Sequence, residues 1–198
     1  IVKWPGKVKA GSTTGSLVSS IDIAPTILEL AKLDPGPTFQ GKSILPILSD
    51  PNATIRTHAI SEHNWHDYED HSRSVRSERY RYVKNSYTDI PLSPPADAVR
   101  SPTYQKMIEL FQAGELPREQ AICFQVPRAP EEFYDLEADP FEQRNLIDDD
   151  QYRSQIDELR SVLAKWTNET GDEVPEQRRP DGFDLLTGER LKNAREQE

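Results

Sequence analysis

Cysteine is almost missing from this chain: Cys123 is the only one among 198 residues. A single thiol excludes an internal disulfide and any zinc site built from several cysteines. Long apolar runs are missing as well, since no stretch approaches the roughly 18 residues needed to cross a bilayer, so no membrane partner is expected. Basic charge is scarce, with 24 Lys and Arg against 34 Asp and Glu and a net charge of −10. That balance speaks against nucleic acid, which is normally held by a broad Lys/Arg field. There is no initiator Met and no basic segment followed by an apolar leader. Ile1-Val2-Lys3-Trp4 reads instead as a start in mid-element, the end of a strand running into the Pro5-Gly6 turn. Proline is plentiful, at 16, and implies many fixed turns.

The periodicities alternate between helix and strand. Ala24, Ile27, Leu28 and Ala31 predict a helix over about 22–32, capped by Ser19 or Ser20 and closed by Asp34-Pro35-Gly36-Pro37. Strand formers follow around 56–62 and from Arg73 to Lys84, where Ser77-Glu78-Arg79 can turn one antiparallel strand into the next. Prolines 91, 94 and 95 predict an irregular loop over 86–100. Ser101-Pro102 caps a helix carrying Tyr104, Met107, Ile108 and Phe111, and Phe133–Leu136 reads as a further strand. The strongest pattern is Tyr152, Ile156, Leu159, Leu163 and Trp166, a helix over about 151–170 with Gly171 as its stop. The tail beyond it is polar, although Phe183, Leu185 and Leu186 could dock.

Several ordered segments together resemble the sulfatase family. Ile1-Val2-Lys3-Trp4-Pro5-Gly6 and Ser20-Ile21-Asp22-Ile23-Ala24-Pro25-Thr26-Ile27-Leu28 resemble the strand and helix that end its large domain, and Gly41-Lys42-Ser43-Ile44-Leu45-Pro46 the loop after them. Arg73–Tyr82 is similar to the hairpin of its C-terminal subdomain, and Glu132–Leu136 through Asp139-Pro140 to Asn145-Leu146 to its next strand and turn. Glu62-His63-Asn64-Trp65-His66-Asp67-Tyr68, Ser101-Pro102-Thr103-Tyr104, Leu163-Ala164-Lys165-Trp166 and Pro180-Asp181-Gly182 look most like sulfamidases and their bacterial relatives.

The resemblance implies an α/β fold: the end of an alkaline-phosphatase-like α/β domain over 1–50, a small antiparallel sheet packed against a C-terminal helix over 51–171, and a polar tail over 172–198. It also implies hydrolysis of sulfate ester or sulfamate groups on a sulfated saccharide, in a periplasmic, secreted or lysosomal setting. That chemistry uses a formylglycine made in a C/S-x-P/A-x-R motif, and calcium. Cys123 is followed by Phe124-Gln125-Val126-Pro127 and does not fit. No acidic cluster has the turned loop that would gather oxygen ligands for calcium. Formylglycine and calcium ligands are therefore expected outside this chain, in a missing N-terminal sulfatase domain. The fragment alone is expected to be inactive, with catalytic residues none.

His58, His63, His66 and His71 fall within fourteen residues, interleaved with Glu62, Asp67, Glu69 and Asp70. Imidazole and carboxylate suit zinc or copper, but His63 and His66 would share a face only on a helix, and the surroundings read as strand and loop. A second reading is a loop facing a sulfated sugar: His63, Asn64, His66 and Arg73 supply donors for anionic oxygens and hydroxyls, and Trp65 or Tyr68 an aromatic face. The resemblance implies the same role for this segment. A third is a set of ordinary loop residues pairing with nearby acids. The rival to the enzyme reading is a non-catalytic carbohydrate- or metal-binding module.

Overall fold

The computed structural model describes residues 1–192. A sheet of four antiparallel strands, ordered β1-β2-β3-β4, forms the centre: β1 is Ala59–His63, β2 Ser72–Arg76, β3 Tyr80–Asn85 and β4 Glu131–Asp135. The helices, in chain order, are α1 (Ile23–Leu30), α2 (Leu45–Ser49), α3 (Ala96–Val99), α4 (Pro102–Gln112), α5 (Arg118–Ala121) and α6 (Arg153–Thr170).

The register explains the core. Ile60 stands opposite Val75, Val75 opposite Tyr82, and Tyr82 opposite Phe133. This is one apolar rung across all four strands, and side-chain alternation puts its members on one face. Helix α6 covers that face: Ile156, Leu159 and Leu163 lie in one buried cluster with Val75, Tyr82, Phe133 and Leu146. Spacings of three and four keep these three side chains on one side of the helix. Gly171 closes α6 in a left-handed conformation with φ 66°, its N–H donating to Thr167 O, a geometry that favours glycine.

The neighbouring rung on the same face is charged, with Glu62 opposite Arg73 and Arg73 opposite Lys84. The apolar face therefore stops toward the His63 end of the sheet, and that end is organised by ion pairs. Ser101 caps α4 by accepting from Tyr104 N–H, as its Ser-Pro start predicts.

Two local differences from the sequence reading stand out, while the docking expected of the tail is observed. The opening residues form no strand: Lys7 and Val8 N–H both turn back to Trp4 O, because a strand needs a neighbouring ladder to take its backbone groups. Within the 86–100 loop, α3 begins directly after Pro95; proline blocks a ladder but tolerates a helix start. Residues beyond α6 fold back on the body, with Phe183 and Leu185 packed against buried Tyr68, Ala96 and Val99. The final six residues of the expected tail lie outside the described residues.

Ahead of the sheet, α1 is tied down by its cap. Buried Asp22 forms a bidentate ion pair with Arg56 and accepts from Lys42 N (2.8 Å) and Ser19 N (2.7 Å). Burial pushes its pKa up, but these donors overrule it and hold the carboxyl below its ordinary value. The other side of α1 leaves Ile23, Ile27 and Leu30 exposed.

Candidate functional site

The loop between β1 and β2 carries the histidine-rich segment, and the structure separates its members. His63, the last residue of β1, has a half-exposed side chain whose Nδ1 lies 2.8 Å from Asp70 Oδ2. Asp70 is buried, and Arg128 clasps it from the loop before β4, with Nη2 2.6 Å from Oδ1 and Nη1 3.2 Å from Oδ2. Burial alone would raise the Asp70 pKa; hydrogen bonds from His63 and Arg128 outweigh it and bring the carboxyl down to about 2. Asp70 is thus a carboxylate at neutral pH, and His63 Nδ1 carries the proton that it accepts.

Asn64 is exposed beside His63. His66 is largely exposed, with Nδ1 3.3 Å from Asp67 Oδ1. Trp65 is partly exposed, donates from Nε1 to Pro180 O (3.2 Å) and lies under the Arg179 guanidinium. Tyr68, the other aromatic candidate, is buried and donates to Asp184 O (3.1 Å).

Arg73 sits differently. It is only 6% exposed, and its guanidinium donates to Asp172 through Nε (3.0 Å) and Nη2 (2.7 Å), to His71 Nε2 (2.8 Å), and to the carbonyls of Ser72 (2.9 Å) and His63 (3.4 Å). A guanidinium has five N–H donors, and here each has an acceptor. Buried His71 accepts at Nε2, so its Nδ1 holds the proton donated to Ser86 Oγ (2.9 Å). Burial, then the nearby Arg73 charge, lowers its pKa and keeps it neutral. His58 lies at the opposite end of β1, 3.7 Å from Glu158. Among the described residues no group of three or more His, Cys, Asp and Glu side chains converges on a point where a metal could sit.

The chain after α6 straps this loop in place. Asp181 accepts from Glu69 N (2.8 Å), Gly182 N donates to Asp67 O (2.9 Å), and Glu69 accepts from Arg179 N. Sequence reasoning picked out Pro180-Asp181-Gly182 but not its role. It also missed Arg128, which no local pattern connects to Asp70.

His63 borders an open groove of about 470 Å³ whose other walls include Leu92, Pro94, Ala98, Tyr104 and Met107. Cys123 lines it too, half-buried, its thiol pushed up by burial and aimed at Gln120 O (3.4 Å). The residues after Cys123, Phe124-Gln125-Val126-Pro127, do not match the C/S-x-P/A-x-R pattern. Together these residues present an imidazole held against a carboxylate, an exposed asparagine next to it in sequence and an apolar groove wall.

Residues 1–94 match the family model described as N-sulphoglucosamine sulphohydrolase, C-terminal. The chain is 31% identical over 175 residues to an ulvan-active sulfatase of Formosa agariphila, covering 88% of this chain and 29% of that protein. It is 30% identical over 192 residues to the N-sulphoglucosamine sulphohydrolase of Homo sapiens, covering 85% of this chain and 38% of that protein. The chain thus spans about a third of these relatives' length. Among solved structures, one bound to its substrate D-glucosamine-2-N,6-O-disulfate superposes with a TM-score of 0.62 at 22% identity, over 89% of this chain and 29% of that one. A phosphonate monoester hydrolase from Silicibacter pomeroyi superposes at 0.52 and 15% identity, over 93% and 32%. At these identities the structural likeness shows the fold alone. The chain is therefore similar, over most of its length, to the C-terminal part of sulfatases, an N-sulphoglucosamine sulphohydrolase among them.

Proposed function

We propose that this chain is the substrate-contacting C-terminal part of an enzyme that hydrolyses sulfate ester or sulfamate groups of sulfated sugars. The observation that carries the reading is His63 at the border of the groove, with exposed Asn64 next to it in sequence, in a chain whose relatives over nearly its whole length are sulfatases. An imidazole with Nδ1–H committed to a carboxylate offers Nε2 to a ligand. Neutral, it accepts from a sugar hydroxyl; protonated, it donates a charge-assisted bond to a sulfo oxygen. Asn64 adds an amide within the same turn of chain, and His66 lies further along the loop. Arg73 has no donor left for a ligand, so its part is to hold the end of β1 through the His63 carbonyl.

Formylglycine and calcium belong to sequence upstream of Ile1 in this reading, as do the catalytic residues. Residues 1–50 complete that upstream α/β domain, which is supported by the exposed Ile23, Ile27 and Leu30 of α1: an apolar helix face of this kind is normally covered. The setting is periplasmic, secreted or lysosomal. Among the described residues no helix is long and apolar enough to cross a membrane.

The test is release of inorganic sulfate from glucosamine bearing N- or 6-O-sulfate, measured by ion chromatography. The protein joined to its upstream part is expected to release sulfate, and the 198-residue chain alone none. A folded, joined protein that hydrolyses no sulfated sugar would overturn the reading.

A further inference from the structure

We infer that Asp70 and Arg128 are positioning residues for His63, fixing its proton on Nδ1 so that Nε2 is the atom presented to the groove. The inference deepens the proposed role of His63 and rests on that reading for its link to substrate, though not for its geometry.

A half-exposed histidine on a strand end is ordinarily free to rotate and to exchange tautomers in water. Here one ring nitrogen meets a buried carboxylate at 2.8 Å, and no hydrogen bond to Nε2 is found among the described residues. The carboxylate is itself immobilised. Asp70 Oδ1 accepts from His71 N (2.7 Å) and Arg128 Nη2, and Oδ2 from Arg128 Nη1. Arg128 is fixed in turn by Tyr87 O, which accepts from Nη2 (2.8 Å) and Nε (3.3 Å).

A buried ion pair of this kind contributes little net stability over an apolar replacement, because desolvation offsets the attraction. What it does supply is direction. A carboxylate behind an imidazole selects the tautomer and holds the ring plane, the arrangement that makes the far nitrogen a dependable donor or acceptor. Without Arg128, burial would favour a neutral Asp70, and a protonated carboxyl can present a donor to Nδ1 and reverse the tautomer. The chain from Tyr87 O through Arg128 and Asp70 to His63 therefore aims one nitrogen at whatever enters the groove.

The experiment reads ring-nitrogen NMR shifts of His63 in the 198-residue chain labelled at its histidine nitrogens. The parent at a pH where the ring is neutral should show a single Nδ1–H tautomer; a mixture, or the Nε2–H form, overturns the inference without any variant. In Asp70→Asn, and in Asp70→Leu combined with Arg128→Met, which strands no buried charge, the tautomers should mix and the ring resonances should average. An unchanged Nδ1–H form in either folded variant also overturns it. In the protein joined to its upstream part, the same variants should raise KM several-fold with kcat little changed. If the tautomer result holds while KM does not move, the positioning stands and the substrate role of His63 fails.

Discussion

Replacing Arg73 with alanine should damage folding far more than it changes substrate handling. The guanidinium is 6% exposed and forms a bidentate pair with Asp172, whose side chain is 15% exposed. It also supplies the donor that His71 Nε2 accepts. Alanine strands a shielded carboxylate and leaves a buried imidazole nitrogen without its partner. Removing one member of a buried pair costs about 3–5 kcal/mol. For a domain of this size that corresponds to a drop in melting temperature on the order of 10 °C. Urea unfolding of the chain followed by tryptophan fluorescence would measure it. Arg73→Met with Asp172→Leu removes both charges and should recover most of the loss. If Arg73→Ala unfolds within about 1 kcal/mol of the parent while KM in the joined protein rises, then the guanidinium serves a ligand and the reasoning fails.

Other outcomes follow from the same geometry. Asp70 titrates at about 2 when folded, against 3.8 for an unperturbed group, so its charge stabilises the fold fully above pH 4 and progressively less as pH falls toward 2. The increment is worth about 2 kcal/mol, and the stability gap between parent and Asp70→Asn should narrow over that window; a gap independent of pH would count against the buried carboxylate. At Gly41 a Cβ would lie 2.0 Å from Ile21 O, so Gly41→Ala should cost about 1–3 kcal/mol or more, whereas Gly15→Ala, with open space around it, should be neutral in the same melt. Ending the chain after Gly171 removes Asp172, Pro180 and Asp181, and limited proteolysis should then cut within residues 64–70 at least tenfold faster; equal rates would show that the strap does not hold the loop.

The sheet and α6 were legible because their signals are local. Alternation marks β2 and β3, and apolar spacings of three and four mark α6, each over a few consecutive turns of chain. The polar architecture around His63 was not legible. Arg73 reads as one of several hairpin arginines, and only the fold brings it to Asp172, 99 residues away; Asp70 and Arg128 are 58 apart. Pairings at such distances leave no periodic trace. The same cause misplaced Tyr68, an aromatic in a polar loop whose covering residues, Phe183 and Leu185, come from the far end of the chain. The segment around His63, with Glu62, Asn64 and Trp65, is recognisable in the sequence, and the structure places His63 at the border of the groove.

Steady-state kinetics of His63→Ala in the protein joined to its upstream part tests the account most directly. Loss of one hydrogen bond to a charged group is worth about 1.5–3 kcal/mol, so KM for glucosamine N-sulfate or 6-O-sulfate, whichever is hydrolysed, should rise by about 10-fold or more with kcat within about twofold. An unchanged KM in a variant as stable as the parent would contradict the assignment of this chain as the part that reads the substrate.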